Sequence, residues 1–398
     1  ATTNPKMITI ADIIDTLSNN HILWRTLRRV EVPLAGGRPR YAVGNAAVGL
    51  HVRCDGRDAW LKCYTRPNDN LPAIYGTAFH PRELCVFGMG GRRQWVDCLV
   101  CEYVAGQTLD TLLCSTDAHK AVSVAACAFD RAALGLLHSE RAHGDLKPEN
   151  MILTPDGEMK FIDWDAAYVP ALAGRAAPET GTAAYQHPKR TTQMYDTHID
   201  DYSIALLSVM LHAAALDPDV SARYRSLREF PLHPRRIAAG YCEELERTAD
   251  LFASRGMAPQ YRLTRMLSSP IPYLFNLESV MDVACRAQDA TVTTDTAASE
   301  PSDAMPELDE RNGLWGYRTG GQWIIPPLYD WGFDPTEGVM LVGLGGYSHF
   351  ILRDGSVAAT FGRGCTVKPL RDGRTVVRRA DGSCRTLEMS SIWGRRVD

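Results

Sequence analysis

The sequence lacks a charged start followed by an apolar leader, and its longest apolar run, Ile204 to Leu216, contains His212 and is too short to span a bilayer. That pattern predicts a chain that is neither exported nor anchored and works in the cytoplasm. Net charge is scarce: 43 Lys plus Arg against 47 Asp plus Glu leave −4, which removes any bulk electrostatic case for nucleic acid or a membrane surface. Cysteine pairing is scarce as well. The eleven cysteines are odd in number and scattered, and only Cys98 and Cys101 stand at metal or redox spacing. Those two lie in the apolar run Trp95-Val96-Asp97-Cys98-Leu99-Val100-Cys101 and read as small core residues among reduced thiols.

What is present is ample core material. The chain has 398 residues, enough for two or three domains, with 45% hydrophobic and 23% charged residues. Alternating apolar residues from Tyr41 to Tyr64 predict a hairpin, and the periodic stretches Ala118 to His138 and Asp201 to Leu216 predict helices. Strands before helices argue for an α+β arrangement. From Gln288 to Asp303 the composition turns small and polar, as in a flexible linker that cannot offset its ordering entropy. Beyond it, short apolar runs alternate with Gly320-Gly321, Asp354-Gly355, Asp372-Gly373 and Asp381-Gly382, which predicts an all-β tail built of hairpins. Leu314-Trp315-Gly316-Tyr317 and Gln322-Trp323-Ile324-Ile325 are echoed about 33 residues later at Tyr347-Ser348-His349-Phe350, a degenerate repeat.

The chemistry concentrates in His143-Gly144-Asp145-Leu146-Lys147-Pro148-Glu149-Asn150, then Met151-Ile152-Leu153, a turn at Pro155-Asp156-Gly157, and Phe161-Ile162-Asp163. The turn folds Asp163 back beside Asn150, giving hard oxygen ligands suited to magnesium. Asp145 can accept a proton from an incoming hydroxyl, and Lys147 can neutralise a transferring phosphoryl group.

In these residues the sequence resembles the protein kinase superfamily over about residues 41 to 285, divided into lobes at 41–104 and 105–285. The resemblance implies a bilobal kinase-like fold followed by a small all-β domain, with ATP and Mg2+ as cofactors. It implies further roles. Lys62 in Ala59-Trp60-Leu61-Lys62 would pair with the α and β phosphates, and Gly44, Asn45 and Gly49 of Gly44-Asn45-Ala46-Ala47-Val48-Gly49 would form the loop over them. Glu102 and Val104 would offer backbone to the adenine edge beside a small Cys101, with Ile152 also contributing to the nucleotide site. Asp145, Lys147 and Asn150 would be catalytic, with Asn150 and Asp163 on the metal. Gly181 to Pro188 resembles the end of an activation segment, whose Thr182 hydroxyl would tie Asp145 to Lys147; Asp201 would hold the catalytic-loop backbone.

Departures from the family pattern are specific. Gly144 stands where an arginine usually precedes the catalytic Asp, so the pocket that reads a phosphorylated activation segment is missing. Asp163-Trp164-Asp165 replaces Asp-Phe-Gly, and Lys189 reverses the usual charge after Pro188. The acidic partner of Lys62 is open between Asp69, Glu83 and neither, with a helix expected between Asn68 and Phe79, starting near Leu71 because of Pro72.

The tail resembles WG-repeat proteins through Leu314-Trp315-Gly316-Tyr317, Gln322 to Pro327 and Tyr329-Asp330. This implies a protein-binding module at 309–398, after a linker at 286–308; residues 1–40 form an extension with a possible helix at Ile8 to Ser18. The combined reading is a Ser/Thr-type protein kinase acting on protein hydroxyls. A kinase-like small-molecule phosphotransferase and a pseudokinase scaffold are the alternatives. Two separately folded parts are expected, with catalysis before the linker and targeting after it.

Overall fold

Thr9 and Asp12 set the first element. Their side chains and backbones cap each other in a capping box, starting the helix α1, Ile10–Leu17, which buries Ile13, Ile14 and Leu17. The structure, a computed structural model, describes residues 8–19, 21–44, 46–88, 92–115, 119–292 and 305–397. Asn45, residues 1–7 and, from the expected linker, residues 293–304 lie outside the described residues.

The first lobe is an antiparallel sheet of β1 (Ala42–Val43), β2 (Ala47–Cys54), β3 (Arg57–Tyr64), β4 (Phe79–Gly88) and β5 (Arg92–Glu102). Val30–Glu31 pairs with β2, followed in order by β3, β5 and β4, while β1 also pairs with β2. Residues before 41 therefore belong to this lobe: α1 joins the core of Val48, Leu50, Leu61 and Val86. Between β3 and β4 the expected helix shrinks to α2, Leu71–Tyr75. Pro72 in its first turn and Gly76, at φ 56°, hold it to five residues.

The second lobe is helical. It includes α3 (His119–Leu137), α4 (Asp201–Leu216), α5 (Glu243–Ala253), α6 (Ala258–Met266) and α7 (Leu277–Val292), with the hairpin β6 (Met151–Leu153) and β7 (Met159–Phe161) facing the cleft. α4 is buried from Asp201 to Ala215, and its all-round apolar surface suits a central helix. Among the described residues no single helix is long and apolar enough to cross a membrane.

The tail consists of three small sheets and a four-residue helix, Met389–Ile392. Glycine in Trp315-Gly316 is required because a Cβ there would stand 2.6 Å from the Pro326 carbonyl carbon. Of the Asp-Gly turns, Asp372-Gly373 has positive φ at both residues; at Asp354 and Asp381 the carboxylate instead accepts from the backbone N–H of Ser356 and Ser383.

This tail does not stand apart from the lobes as expected. Tyr317, Ile325, Leu328, Tyr329, Val342 and Leu344 share one apolar cluster with Phe252, Ala253 and Tyr261. Arg262 donates to the Leu328 carbonyl (2.6 Å) and pairs with Asp330 (2.7 Å), and Tyr347 donates to Asp250 at 3.0 Å. At Gly345 a Cβ would come within 2.7 Å of Ala253, so the two surfaces meet at backbone distance. The first hairpins share their core with α5 and α6.

Candidate active site

β6 and β7 bring Asn150 and Asp163 together. Their register pairs Met151 with Phe161, and the Ile162 N–H donates to the Asn150 carbonyl at 2.9 Å, so Asn150 and Asp163 emerge side by side. The Asn150 amide donates to the Asp145 carbonyl at 2.9 Å. Asp145 accepts from Lys147 Nζ (2.7 Å) and from the Thr182 N–H (2.7 Å), while Lys147 also donates to the Thr182 hydroxyl at 3.2 Å. Thr182 thus ties the pair with its backbone as well as its side chain. Burial pushes the Asp145 carboxyl up, but Lys147 and Thr182 outweigh it and hold the group below its ordinary range. Burial pulls Lys147 down, and its hydrogen bond to Asp145 more than restores it. Asp145 is an ionised acceptor at neutral pH.

The loop backbone is held from below by Asp200, whose carboxylate accepts from the His143 N–H and, at 2.9 Å, from the Gly144 N–H. This corrects the assignment to Asp201 by one residue. Asp200 sits at the N-cap of α4 and faces the loop, whereas Asp201 turns away, accepts from the Leu274 N–H at 3.0 Å and lies 3.4 Å from His198 Nδ1. Lys189 donates to the Pro270 carbonyl at 2.9 Å, which supplies a tie for this segment different from the one its charge reversal removed.

Across the cleft, Lys62 Nζ reaches Asp163 Oδ1 at 2.5 Å and Asp165 Oδ2 at 2.6 Å. Burial lowers its pKa, but the two carboxylates outweigh that and raise it, so Lys62 is a fixed cation. Neither Asp69 nor Glu83 meets it. Glu83 is buried against the N-terminal extension, accepting from the N–H groups of Thr26 and Leu27 (both 2.7 Å) and the Thr26 hydroxyl (2.6 Å). Asp165 takes the position left open: it also accepts from the hydroxyls of Tyr64 (3.0 Å) and Tyr75 (2.8 Å), the latter on α2. Asp163 holds φ 61°, a left-handed conformation uncommon for a side-chain-bearing residue and typical of functional sites. Sequence reasoning missed Asp165 as a partner, although a second acid two residues after Asp163 was its visible signal.

The residues expected to face a nucleotide lie on β2, β5 and β6 or just beside β1 and β5. The Gly44 N–H donates to the Ala47 carbonyl at 2.9 Å, closing a tight turn that Thr65 ties down through the Ala46 carbonyl. Gly49 lies outside that turn, within β2 opposite Lys62. Glu102 ends β5, Val104 follows it half-buried, and Ile152 packs beneath this hinge, its Cγ2 2.6 Å from where a Cβ on Gly106 would sit. Cys101 lies between the hinge and Lys62; burial and then Asp165 push its thiol up to about 11. Asn150 and Asp163 offer an amide oxygen and a carboxylate, and no group of three His, Cys, Asp or Glu that could hold a metal occurs among the described residues. Two hard ligands suit a magnesium ion that takes its remaining oxygens from phosphate and water.

Residues 84–221 match the family model of the protein kinase domain. Over 162 residues the chain is 29% identical to the serine/threonine-protein kinase PknB of Mycolicibacterium smegmatis, covering 37% of this chain and 25% of that protein. Over 176 residues it is 30% identical to a probable serine/threonine-protein kinase of Streptomyces coelicolor, covering 39% and 25%. The chain thus spans about a quarter of the length of these curated relatives. A solved structure, the ROP18 kinase domain in complex with AMP-PNP and sucrose, aligns over 72% of this chain and 91% of that one at 14% identity and a TM-score of 0.40.

Proposed function

We propose that this chain transfers the γ-phosphoryl group of ATP to serine or threonine hydroxyls of a protein. The observation that carries the reading is the convergence of Lys62, Asp145, Lys147, Asn150 and Asp163 from two lobes onto one cleft. Lys62 is placed to hold the α and β phosphates, and Asn150 and Asp163 are the groups that would hold Mg2+, which supplies charge neutralisation on the phosphates when bound. Asp145 orients the acceptor hydroxyl and takes its proton as that oxygen bonds to the γ phosphorus. The bond to the bridging oxygen breaks and ADP leaves, while Lys147 offsets charge on the transferring group.

The tail, with its WG-repeat-like hairpins, serves as a partner-binding extension fixed on α5 and α6. A cytoplasmic, reducing setting is part of this reading and suits cysteines that form no disulfide among the described residues. The test is transfer of radiolabelled γ-phosphate by the full chain to mixed protein and small-molecule acceptors. Label on protein serine or threonine, lost with Asp145→Asn, supports the reading; label confined to small molecules overturns the substrate class.

A further inference from the structure

A cavity of about 340 Å³ lies in the seam between the helical lobe and the tail and shares no residue with the cleft. That volume falls within the range of small-molecule sites, roughly 300–1,000 Å³. The lobe lines it with Ser254 and Arg255, just past α5. The tail lines it from the sheet of β8 (Tyr347–Ile351), β9 (Val357–Phe361) and β10 (Arg395–Val397), through residues 357–360 and 394–396. Thr360 of β9 pairs with His349 of β8 and with Arg396 of β10, and paired residues share a face. The contacts agree: His349 Nδ1 lies 3.0 Å from the Thr360 hydroxyl, and the Arg396 guanidinium stands 5.8 Å over the Tyr347 ring, whose hydroxyl donates to Asp250 of α5. Arg396 is therefore on the face turned to the lobe that carries Arg255.

One side of this cavity is apolar and the other cationic. Val357, Ala358 and Ala359 form the first; Arg255 and Arg396 form the second, with Arg395 beside them, and all three arginines are exposed. Neutralising partners are scarce. The ion pairs of the seam belong to Arg262 with Asp330 and to Arg363 with Asp250 (3.4 Å), and among the described residues neither Arg255 nor Arg395 has a carboxylate within ion-pair distance. The end of α5 adds no bare acceptors, because the carbonyls of residues 250–253 already accept from Ser254, Arg255 and Gly256. Residues 341–398 carry ten Arg or Lys against five Asp or Glu, in a chain whose net charge is −4. Like charges gathered around a concave site raise the local concentration of anions.

We propose that this seam cavity binds a small phosphorylated molecule, with its phosphate between Arg255 and Arg396 and its apolar part against residues 357–359. A guanidinium fork meets two phosphate oxygens at once, which suits arginine to this task. The Ser254 and Thr360 hydroxyls are already bonded, to the Leu251 carbonyl and the His349 ring, so the side-chain donors must come from the arginines. Because the lobe and the tail each supply one arginine, occupancy ties the tail to α5. The site does not depend on the reading of the cleft.

Calorimetric titration of the full chain with phenyl phosphate and with inorganic phosphate, as wild type, Arg255→Ala, Arg396→Ala and Lys62→Met, tests the assignment. Lys62→Met removes a cation of the cleft and leaves the seam untouched. Phenyl phosphate should bind wild type and Lys62→Met alike and bind each arginine variant about tenfold or more weakly, as loss of a charge-assisted bond implies. It should also raise the thermal midpoint of wild type and not that of Arg255→Ala. Inorganic phosphate binding as tightly as phenyl phosphate, with the same dependence on Arg255 and Arg396, supports the anion site and assigns it to free phosphate. Affinity lost in Lys62→Met but kept in both arginine variants overturns the proposal, because the probe would then occupy the cleft. Wild type that binds neither probe at millimolar concentration, or equal affinity in all four proteins, overturns it as well.

Discussion

The two walls of the cleft are held by different means. On the helical side every transferring group sits within one loop and one hairpin, and Asp145, Lys147 and Asn150 are fixed by neighbours at most five residues away together with Thr182. On the sheet side Lys62 takes its partners from residues 101 and 103 positions distant, and the nearby helix α2 contributes a tyrosine hydroxyl rather than an acid. Local chain geometry leaves the first wall little choice of residues, whereas a buried lysine accepts any carboxylate that arrives with the right geometry. The sheet side is therefore where substitution of one support for another is tolerated.

The largest effect should come from the locally built wall. Asp145→Asn keeps the shape of the loop but removes the proton acceptor, and general-base contributions of 10²–10⁴ imply a loss in kcat of about a thousandfold. ATP affinity should stay within about twofold, because Asp145 faces the hydroxyl rather than the nucleotide. Turnover near wild type would remove the loop from the chemistry.

The next effect tests the reassigned support. Asp165→Asn leaves Asp163 on Lys62 but weakens a charge-assisted bond of about 1.5–3 kcal/mol, so kcat/KM for ATP should fall roughly tenfold to a hundredfold. Glu83→Gln should leave kcat/KM within about twofold and instead lower the urea midpoint, since its carboxylate closes three hydrogen bonds to the N-terminal extension. Steady-state kinetics and urea unfolding of both variants settle the matter. A larger kinetic loss in Glu83→Gln would return the partner role to that residue.

How much of this was legible in the sequence follows the same division. Asp145, Lys147, Asn150 and Asp163 could be read because hairpin and loop spacing place them by local geometry alone, and the two-lobe order followed from strands preceding helices. Asp200 was missed by one position because two adjacent acids open α4, and spacing cannot say which faces the loop. Asp165 was missed because its role exists only once β3 faces the cleft and Lys62 reaches across it. The attachment of the tail was invisible for a related reason. Tyr317, Leu328 and Tyr329 pattern as hairpin core whether they pack on each other or on α5 and α6, and periodicity carries no address for the partner surface.

A smaller effect probes that attachment through pH. His349 is fully buried in the tail, where its ring bonds Thr360 and lies beside Gly256, and burial pushes its pKa down to about 4. The unfolded chain binds this proton near pH 6.5 and the folded chain does not, so stability falls as pH drops from about 6.5 towards 4. At pH 5 the cost is about 2 kcal/mol. Asp201, held up at about 6 by burial, works in the opposite direction, so the informative quantity is the difference between wild type and His349→Gln. Urea midpoints at pH 7 and pH 5 should converge for the variant relative to wild type. An unchanged pH dependence would mean that the seam admits water to the ring.

The smallest expected effect is none, and it concerns phosphorylation of the expected activation segment, for instance at Thr180, the residue before Gly181. In a cleft switched by its activation segment, a cationic side chain beside the catalytic Asp reads the added charge. Here that position cannot carry one: Gly144 sits at φ 84°, and any Cβ on it would collide with the Ala166 carbonyl oxygen. One arginine at the loop already uses one guanidinium nitrogen there, while its Nε and Nη2 have no hydrogen-bond partner among the described residues. Arg190 is buried, with Nη1 donating to the Gly144 carbonyl at 2.9 Å and to Gln186 Oε1 at 2.5 Å, so it braces the loop in the unmodified chain. Asp145 is likewise fully engaged by Lys147 and Thr182 without any phosphate. Phosphatase-treated chain, with removal checked by mass spectrometry, should therefore transfer phosphate at an initial rate within about twofold of untreated chain, well inside the tenfold that 1.4 kcal/mol would produce. A large drop that returns on rephosphorylation would show that the loop has a second arrangement in which Arg190 is released, and the helical wall would no longer be the fixed side of the cleft.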